Sequence, residues 1–177
     1  ALPICGICGT DLHEYDHGPV MVSTSPHPLT GEKSPMILGH EFSGVIAELG
    51  PDVQGNWKVG DRVTADPCCV CHECYNCKNN HYNICSSLGF IGLARDGAFA
   101  EYTLVDDYQL CKLPDEVSFE QGAFTEPVAV VLHAVRRAGI SLGDTVLVTG
   151  LGPIGLLAGQ CAKAAGAAAV YGVERSE

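Results

Sequence analysis

The sequence predicts an α/β protein in which a small β-barrel is followed by the start of a parallel sheet with helices. Residues 39–117 contain short β-type runs separated by Gly, Pro and Asp, whereas the residues after 117 alternate apolar strands with helix-like segments. Strands that alternate with helices are typical of a parallel sheet. We therefore predict two domains, residues 1–117 and residues 118–177.

In the first domain the β-type runs are "FSGVIAEL", "DRVTAD" and "AFAEYTLV". Residues 14–38 contain four prolines and two glycines. Because these residues disfavour helices and strands, we predict a long loop there.

In the second domain the order of elements is helix, strand, helix, strand. The corresponding segments are "EQGAFTEPVAVVLHAVRRAG", "DTVLVTG", "PIGLLAGQCAKAAG" and "AAVYGVE". The last three segments predict a β-α-β unit.

Composition excludes several classes of function. With 177 residues and 46% hydrophobic content, the chain can bury a core. A net charge of -11 disfavours nucleic acid and anionic membranes as partners, since both require a basic surface. The apolar runs are interrupted by glycine and are too short to span a bilayer.

Ten cysteines in a chain of this size, four of them at metal-ligand spacing, indicate a reducing compartment, so we expect a cytoplasmic protein.

A strong metal-binding pattern occurs in the segment "CHECYNCKNNHYNIC". Four cysteines follow the spacing C-x2-C-x2-C-x7-C, namely Cys71, Cys74, Cys77 and Cys85. Three thiolates at three-residue intervals and a fourth beyond a short loop can form a tetrahedron, which is typical of a closed structural zinc site. The alternative is two disulfide bonds, which a reducing compartment disfavours. We interpret the other potential ligands nearby as bystanders: Cys68, Cys69, His72 and His81.

A glycine pattern after the predicted strand indicates a dinucleotide site. It has the form G-x-G-x-x-G and comprises Gly150, Gly152, Pro153, Ile154 and Gly155. Gly150 permits a tight turn, Gly152 lets the backbone approach a pyrophosphate, and Gly155 allows close packing of helix on strand. Glu174 ends the next predicted strand, where an acid binds the ribose hydroxyls of NAD. An ordinary turn with a surface glutamate is the alternative.

A second metal site is predicted from three separated segments, "CGICGTDLHEY", "LGHEFSG" and "TEPVAV". They supply a thiol, an imidazole and carboxylates from Cys8, His40, Glu41 and Glu126. Such a mixed set is typical of a catalytic zinc site that leaves one position open. Taken singly, the cysteine could be a buried apolar residue, the histidine a hydrogen-bonded core residue and Glu126 a helix N-terminal acid.

Together these motifs resemble the zinc-containing medium-chain alcohol dehydrogenase family, most of all its 2,3-butanediol dehydrogenase branch. The resemblance extends over essentially the whole chain and includes "GDRV" and "AFAEY". It implies a GroES-like β-barrel catalytic domain, truncated at its N-terminus, and the start of a Rossmann doubly wound parallel sheet. It also implies one catalytic and one structural zinc ion together with NAD. Cys8, His40 and Glu126 would bind the catalytic zinc, with Glu41 a direct or an exchanging ligand.

The resemblance also implies roles for three residues of the opening segment. Asp11 would hold the imidazole of His40 through the ring nitrogen that does not bind the metal. Thr10 would accept the proton of the alcohol and pass it by way of the cofactor ribose to His13, which releases it to solvent. The alternative is that Thr10 and Asp11 only form a turn and that His13 is a surface residue.

The implied reaction is NAD-dependent oxidation of a small secondary alcohol, above all a vicinal diol such as 2,3-butanediol. The loop at residues 14–38 would cover the substrate with Val20, Met21, Val22, Met36 and Ile37. A polyol dehydrogenase of the sorbitol or xylitol type is the alternative enzyme, and a zinc-binding module without activity is the alternative class. Members of the family are roughly twice as long, so we expect a fragment of a homo-oligomeric enzyme.

Overall fold

The computed structural model describes residues 4–175 and divides the chain into two compact units. The first unit is Ala1–Glu126 and the second is Pro127–Glu177. This division lies further along the chain than the predicted boundary at residue 117. The reason is that the short helix Phe119–Ala123 packs on strands of the first unit.

The first unit is built on an antiparallel sheet. Its strands are β1 (Ile4–Gly6), β2 (Glu41–Val45), β3 (Arg62–Ala65), β4 (Cys68–Cys69), β5 (Gly89–Phe90) and β6 (Leu110–Lys112). Four of them form one sheet in the order β1-β2-β3-β6, while β4 and β5 pair separately. The core beneath contains Phe42, Ala65, Cys69, Ile91 and Ala98.

The structure corrects part of the predicted barrel. The runs "FSGVIAEL" and "DRVTAD" contain β2 and β3, but "AFAEYTLV" is not a strand. Among its backbone N–H groups, only those of Ala98 and Phe99 donate outside the run within residues 4–175, to the carbonyls of Gly39 and Leu38. To close a barrel, residues 100–105 would have to pair with another strand. No strand within residues 4–175 pairs with them. The described strands therefore form separate sheets of four and two strands.

Helix α1 (Gly9–His17) follows β1 and begins directly after Cys8. It extends four residues into the predicted loop, whose irregular part starts only at Gly18. The backbone N–H of Gly18 donates to the carbonyl of Glu14 at 2.8 Å, and Pro19 has no N–H with which to continue the helix. The prediction that residues 14–17 are loop is therefore wrong.

The irregular segment 18–40 is fastened along its length to residues 88–99. His27 Nε2 lies 3.3 Å from the carbonyl of Leu88, and the backbone N–H of Asp96 donates to the Glu32 carboxylate at 2.8 Å. The hydroxyl of Thr30 donates to the carbonyl of Ala94. A long loop held by this many bonds has a defined course despite its lack of secondary structure.

Further helices are α2 (Tyr75–Lys78), α3 (Phe119–Ala123), α4 (Thr125–Ala138) and α5 (Pro153–Ala164), with 3-10 turns at Tyr82–Ile84 and Asp107–Gln109. The helix predicted from "EQGAFTEPVAVVLHAVRRAG" is thus present as two helices, α3 and α4. Within residues 4–175, no helix has the length and apolar character needed to cross a membrane.

The second unit contains the predicted β-α-β unit. Strands β7 (Thr145–Thr149) and β8 (Ala169–Val173) pair in parallel, with α5 between them in sequence. The five residue pairs run from Thr145 opposite Ala169 to Thr149 opposite Val173. This register places the glycine turn after β7 beside the end of β8.

Candidate metal centres and nucleotide site

The four predicted cysteine ligands lie together in residues 68–88, which we call the cysteine lobe. Their sulfur atoms all lie within 4.8 Å of one another. The Sγ–Sγ distances are 3.4 Å from Cys71 to Cys85, 3.9 Å from Cys71 to Cys77 and 4.0 Å from Cys74 to Cys85. Four sulfurs bound to tetrahedral zinc at about 2.3 Å lie about 3.8 Å apart. The lobe therefore fits one zinc ion, and its cysteines form no disulfide bond.

Local backbone geometry prepares these sulfurs for a cation. The N–H groups of Cys74 and Cys77 point at the sulfurs of Cys71 and Cys74, at 3.4 and 3.5 Å. Backbone N–H groups of Ser86 and Cys77 lower the pKa of Cys74 to about 5. Since the thiolate is the form that binds metal, this environment favours zinc binding at Cys74. At Cys77, burial and the neighbouring thiols raise the pKa to about 12, so this thiol would lose its proton only as the metal binds. The bystander interpretation of Cys68, Cys69, His72 and His81 is consistent with their absence from this donor group.

A second donor group comprises Cys8, His40 and Glu41, whose ligand atoms also lie within 4.8 Å of one another. The antiparallel pairing of β1 with β2 brings them together, because it sets Gly6 opposite Glu41. A Cβ at position 6 would lie 2.6 Å from a carboxylate oxygen of Glu41, so a larger residue there would push this side chain out of its present position. Thus residues more than 30 positions apart in sequence share one site through the strand register.

The buried carboxylate of Asp11 joins the two segments that supply these donors. One oxygen accepts the N–H of Cys8 at 2.9 Å, and the other accepts the N–H of Gly39 at 3.1 Å. The second oxygen also lies 3.6 Å from Nδ1 of His40. Nδ1 is buried and has no hydrogen bond within residues 4–175. With Nδ1 facing the carboxylate, Nε2 is the nitrogen available to a metal.

The electrostatics of this site also fit a divalent cation. Burial, followed by the negative charges of Glu41, Asp66 and Asp11, raises the pKa of Glu126 to about 7. No lysine or arginine of the described residues forms an ion pair with these four acids. A metal ion is the kind of charge that compensates such a cluster.

Glu126 itself is not a member of the donor group that contains Cys8 and His40. The structure therefore places Glu41 beside the thiol and the imidazole, whereas the resemblance favoured Glu126. Glu126 interacts with the site electrostatically, since the charges of Glu41, Asp66 and Asp11 help to raise its pKa.

Thr10, Asp11 and His13 all lie on α1, within two turns of the Cys8 sulfur. Burial raises the pKa of Cys8, the N–H and hydroxyl of Thr10 counteract this, and the charge of Glu41 adds to it. The Thr10 hydroxyl is thus beside the thiol of the candidate metal site. His13 is exposed, as release of a proton to solvent requires.

Sequence reasoning did not single out Glu14, whose buried carboxylate organises the start of the irregular segment. It accepts hydrogen bonds from the N–H groups of Val20 at 3.0 Å and Val22 at 2.9 Å, and from Met21. Val22 is buried by this arrangement, whereas Val20 and Met21 are about half exposed. The expectation that Val22 faces a substrate is therefore wrong.

In the second unit the glycine turn has the predicted geometry. Gly150 has φ +87°, a conformation that favours glycine. A side chain on Gly155 would overlap the carbonyl oxygen of Gly150, whereas Gly152 faces open space. Pro153 and Ile154 begin α5, so the free N–H groups of this helix follow Gly152 directly. The Glu174 carboxylate accepts the N–H of Leu151 at 2.7 Å, which brings the acid to the turn.

Comparison with known proteins identifies the first unit. The model of the alcohol dehydrogenase GroES-like domain matches residues 2–115. The chain is 51% identical to the (R,R)-butanediol dehydrogenase of Bacillus subtilis over 97% of the chain and 49% of that protein. It is 44% identical to the sorbitol dehydrogenase of Halalkalibacterium halodurans over 91% of the chain and 44% of that protein. The chain therefore spans about half the length of these curated relatives.

Solved structures of dehydrogenases also match this chain. The crystal structure of 2R,3R-butanediol dehydrogenase from Bacillus subtilis matches with a TM-score of 0.88 and 50% identity, over 97% of this chain and 49% of that one. A protein of Sinorhizobium meliloti 1021, described as a zinc-binding dehydrogenase and bound to NADP, matches with a TM-score of 0.87 and 41% identity. That match covers 99% of this chain and 48% of the other.

Replacing Asp11 by asparagine tests its role at the Cys8–His40–Glu41 group. The amide nitrogen cannot accept from a backbone N–H, so Asp11→Asn loses the bond to Cys8 or to Gly39. We expect the affinity for zinc at this group to fall by roughly 10–100-fold. Competition with a chelator measures this affinity, and Asp16→Asn, an exposed change on the same helix, is the control. Equal zinc affinity in both variants would show that Asp11 does not organise the group.

Proposed function

Since the chain belongs to the family of the alcohol dehydrogenase GroES-like domain, we propose that it forms the zinc-binding part and the start of the NAD-binding part of a dehydrogenase for small secondary alcohols. The second unit is then the beginning of a Rossmann doubly wound sheet. The observation that carries the proposal is the Cys8–His40–Glu41 group, in which three protein donors leave a fourth position for a substrate.

Each residue of the site has a role in this reaction. Cys8, His40 and Glu41 would hold the zinc ion, and Asp11 keeps the first two in place through its bonds to the backbone. When bound, zinc supplies the Lewis acidity that lowers the pKa of an alcohol hydroxyl, and NAD supplies the hydride acceptor. Thr10 accepts the proton of the alcohol, and the exposed His13 releases it to solvent.

Glu126 serves as an exchanging carboxylate. Burial and the negative charges of Glu41, Asp66 and Asp11 raise its pKa to about 7, so its charged form would be stabilised by a cation in this site. Glu126 would then be a further carboxylate available to a zinc ion held by Cys8, His40 and Glu41, because an opposite charge nearby favours the charged form. This role accommodates both its nearness to Glu41 and its absence from the donor group.

The second unit binds the cofactor in this proposal. The glycine turn and the N-terminus of α5 hold the pyrophosphate, since helix N-termini present free N–H groups and a positive field. Glu174 binds the ribose hydroxyls. The net charge of -11 supports a small-molecule partner over nucleic acid. A cytoplasmic location and a homo-oligomeric assembly remain part of the proposal.

The proposed substrate is a vicinal diol, oxidised to a hydroxyketone such as acetoin. The identity to the butanediol dehydrogenase of Bacillus subtilis supports this choice. The apolar side chains of Val20, Met21 and Ile37 are exposed on the segment between Glu14 and His40, where they can contact methyl groups. The similarity to a sorbitol dehydrogenase supports a polyol as the second candidate.

A substrate panel distinguishes these candidates. We expect the full protein that carries this sequence to oxidise 2,3-butanediol with a higher kcat/KM than sorbitol, xylitol, threonine or ethanol, because apolar contacts favour the methyl groups. Higher efficiency with sorbitol or xylitol would establish the polyol alternative. Absence of oxidation of every alcohol by zinc-loaded protein with NAD would leave only a zinc-binding module without activity.

Cofactor preference tests the role of Glu174. Its carboxylate repels the 2′-phosphate of NADP, so we expect NAD to be preferred, although Arg175 beside it weakens the preference. Loss of a charge-assisted hydrogen bond costs about 1.5–3 kcal/mol, so Glu174→Ala should lower the kcat/KM for NAD by roughly 10–100-fold. Steady-state kinetics with both cofactors, with Glu177→Ala as the control, measure this effect. A wild-type preference for NADP would contradict the proposed role.

A further inference from the structure

Two histidines on α1 form a pair that the proposed reaction uses only in part. His13 and His17 are four residues apart, so their side chains lie one turn apart on the same face of the helix. Their ring centroids are 5.0 Å apart, with an angle of 29° between the ring planes. Both residues are exposed. Among the seven histidines of the sequence, no other two have this separation.

Neither imidazole is hydrogen-bonded elsewhere in the described part of the chain. No hydrogen bond or ion pair to either ring is present within residues 4–175, where the two rings stack on each other and His13 also interacts electrostatically with the Glu14 carboxyl group. Their nitrogen lone pairs are therefore available to a ligand from solvent. Glu14, which lies between them in sequence, cannot assist because its buried carboxylate already accepts from the backbone of Val20, Met21 and Val22.

We propose that His13 and His17 form a surface binding site for a divalent metal ion that prefers imidazole, such as Zn²⁺ or Ni²⁺. Two histidines at positions i and i+4 of a helix are a known arrangement for chelation, and imidazole suits these ions. Nitrogens bound to one tetrahedral ion at about 2.0–2.1 Å lie about 3.3 Å apart. Side-chain rotations bring rings at 5.0 Å into this geometry. Water completes the coordination.

The charge around the pair favours a cation. His17 lies in the last turn of α1, where the helix dipole stabilises positive charge. The exposed Asp16 is three residues from His13 and adds a negative charge on the neighbouring surface. The whole chain carries a net charge of -11. This site is separate from the cysteine lobe and from the Cys8–His40–Glu41 group.

Occupation of the pair inhibits the dehydrogenase, a consequence that rests on the proposed function. The metal exchanges bound water for two imidazole nitrogens and breaks no bond in the protein. His13 must offer the same nitrogen lone pair to receive the proton of the alcohol. A metal held by His13 and His17 therefore competes with proton release.

Metal binding can be measured without any activity. The full protein, loaded with zinc and free of any affinity tag, is applied to a column of immobilised Ni²⁺ as wild type and as His17→Gln. The control is His133→Gln, which removes an exposed histidine of α4 that has no histidine four residues away. We expect His17→Gln to elute at an imidazole concentration at least about tenfold lower than wild type, and the control to elute with the wild type. Thermal unfolding checks that all three proteins are folded.

Inhibition is measured by adding Zn²⁺ to the same proteins during oxidation of 2,3-butanediol. His17 takes no part in the proposed reaction, so activity of His17→Gln without added metal should equal that of wild type. We expect half-inhibition of His17→Gln to require at least about tenfold more Zn²⁺.

Each outcome decides a separate claim. Equal column retention of wild type and His17→Gln would overturn the metal site. Lost retention with unchanged sensitivity to Zn²⁺ would overturn the competition with proton release. Lost retention of His17→Gln, combined with a wild-type protein that is retained but oxidises no alcohol, would support the metal site and contradict the proposed function.

Discussion

The carboxylate of Asp11 is the constraint on which the rest of the site depends. It is 2% exposed, and it accepts the backbone N–H groups of Cys8 and Gly39 with its two oxygens. These bonds fix the start of α1 against the residue before His40. A buried carboxylate without such donors would be costly, so the two segments stabilise the charge that joins them. The thiol and the imidazole thereby acquire a fixed separation before any metal binds.

The two metal centres differ in how the chain builds them. The cysteine lobe takes all its ligands from residues 71–85, and short-range N–H···S contacts orient the sulfurs. The other candidate centre depends on strand pairing and on Asp11. Within residues 4–175 no lysine or arginine forms an ion pair with its acids Glu41, Asp66 and Glu126. A closed, locally built centre suits a structural ion. An open centre with surplus negative charge suits a metal that must also accept a substrate.

The sequence predicted the features that depend on local spacing. The cysteine ligands and the glycine turn follow from residues close together in the chain, and the structure has both. The strand expected at residues 98–105 is absent because strand formation needs a partner that residues 4–175 do not provide. The choice between Glu41 and Glu126 depends on the register of β1 with β2, and the anchoring role of Glu14 depends on a chain reversal at Gly18. Neither has a sequence signal, since both arise from tertiary contacts.

Zinc content of the full protein is the most direct test of the claim that one chain builds two independent centres. The wild type and Cys8→Ala are purified in parallel, and elemental analysis is combined with X-ray absorption at the zinc edge. The account predicts two zinc ions in wild type that has been dialysed to remove metal from the exposed His13–His17 pair. It predicts one in Cys8→Ala, surrounded by four sulfurs at about 2.3 Å. A Cys8→Ala protein that keeps both ions, or that loses both while still folded, would contradict the account.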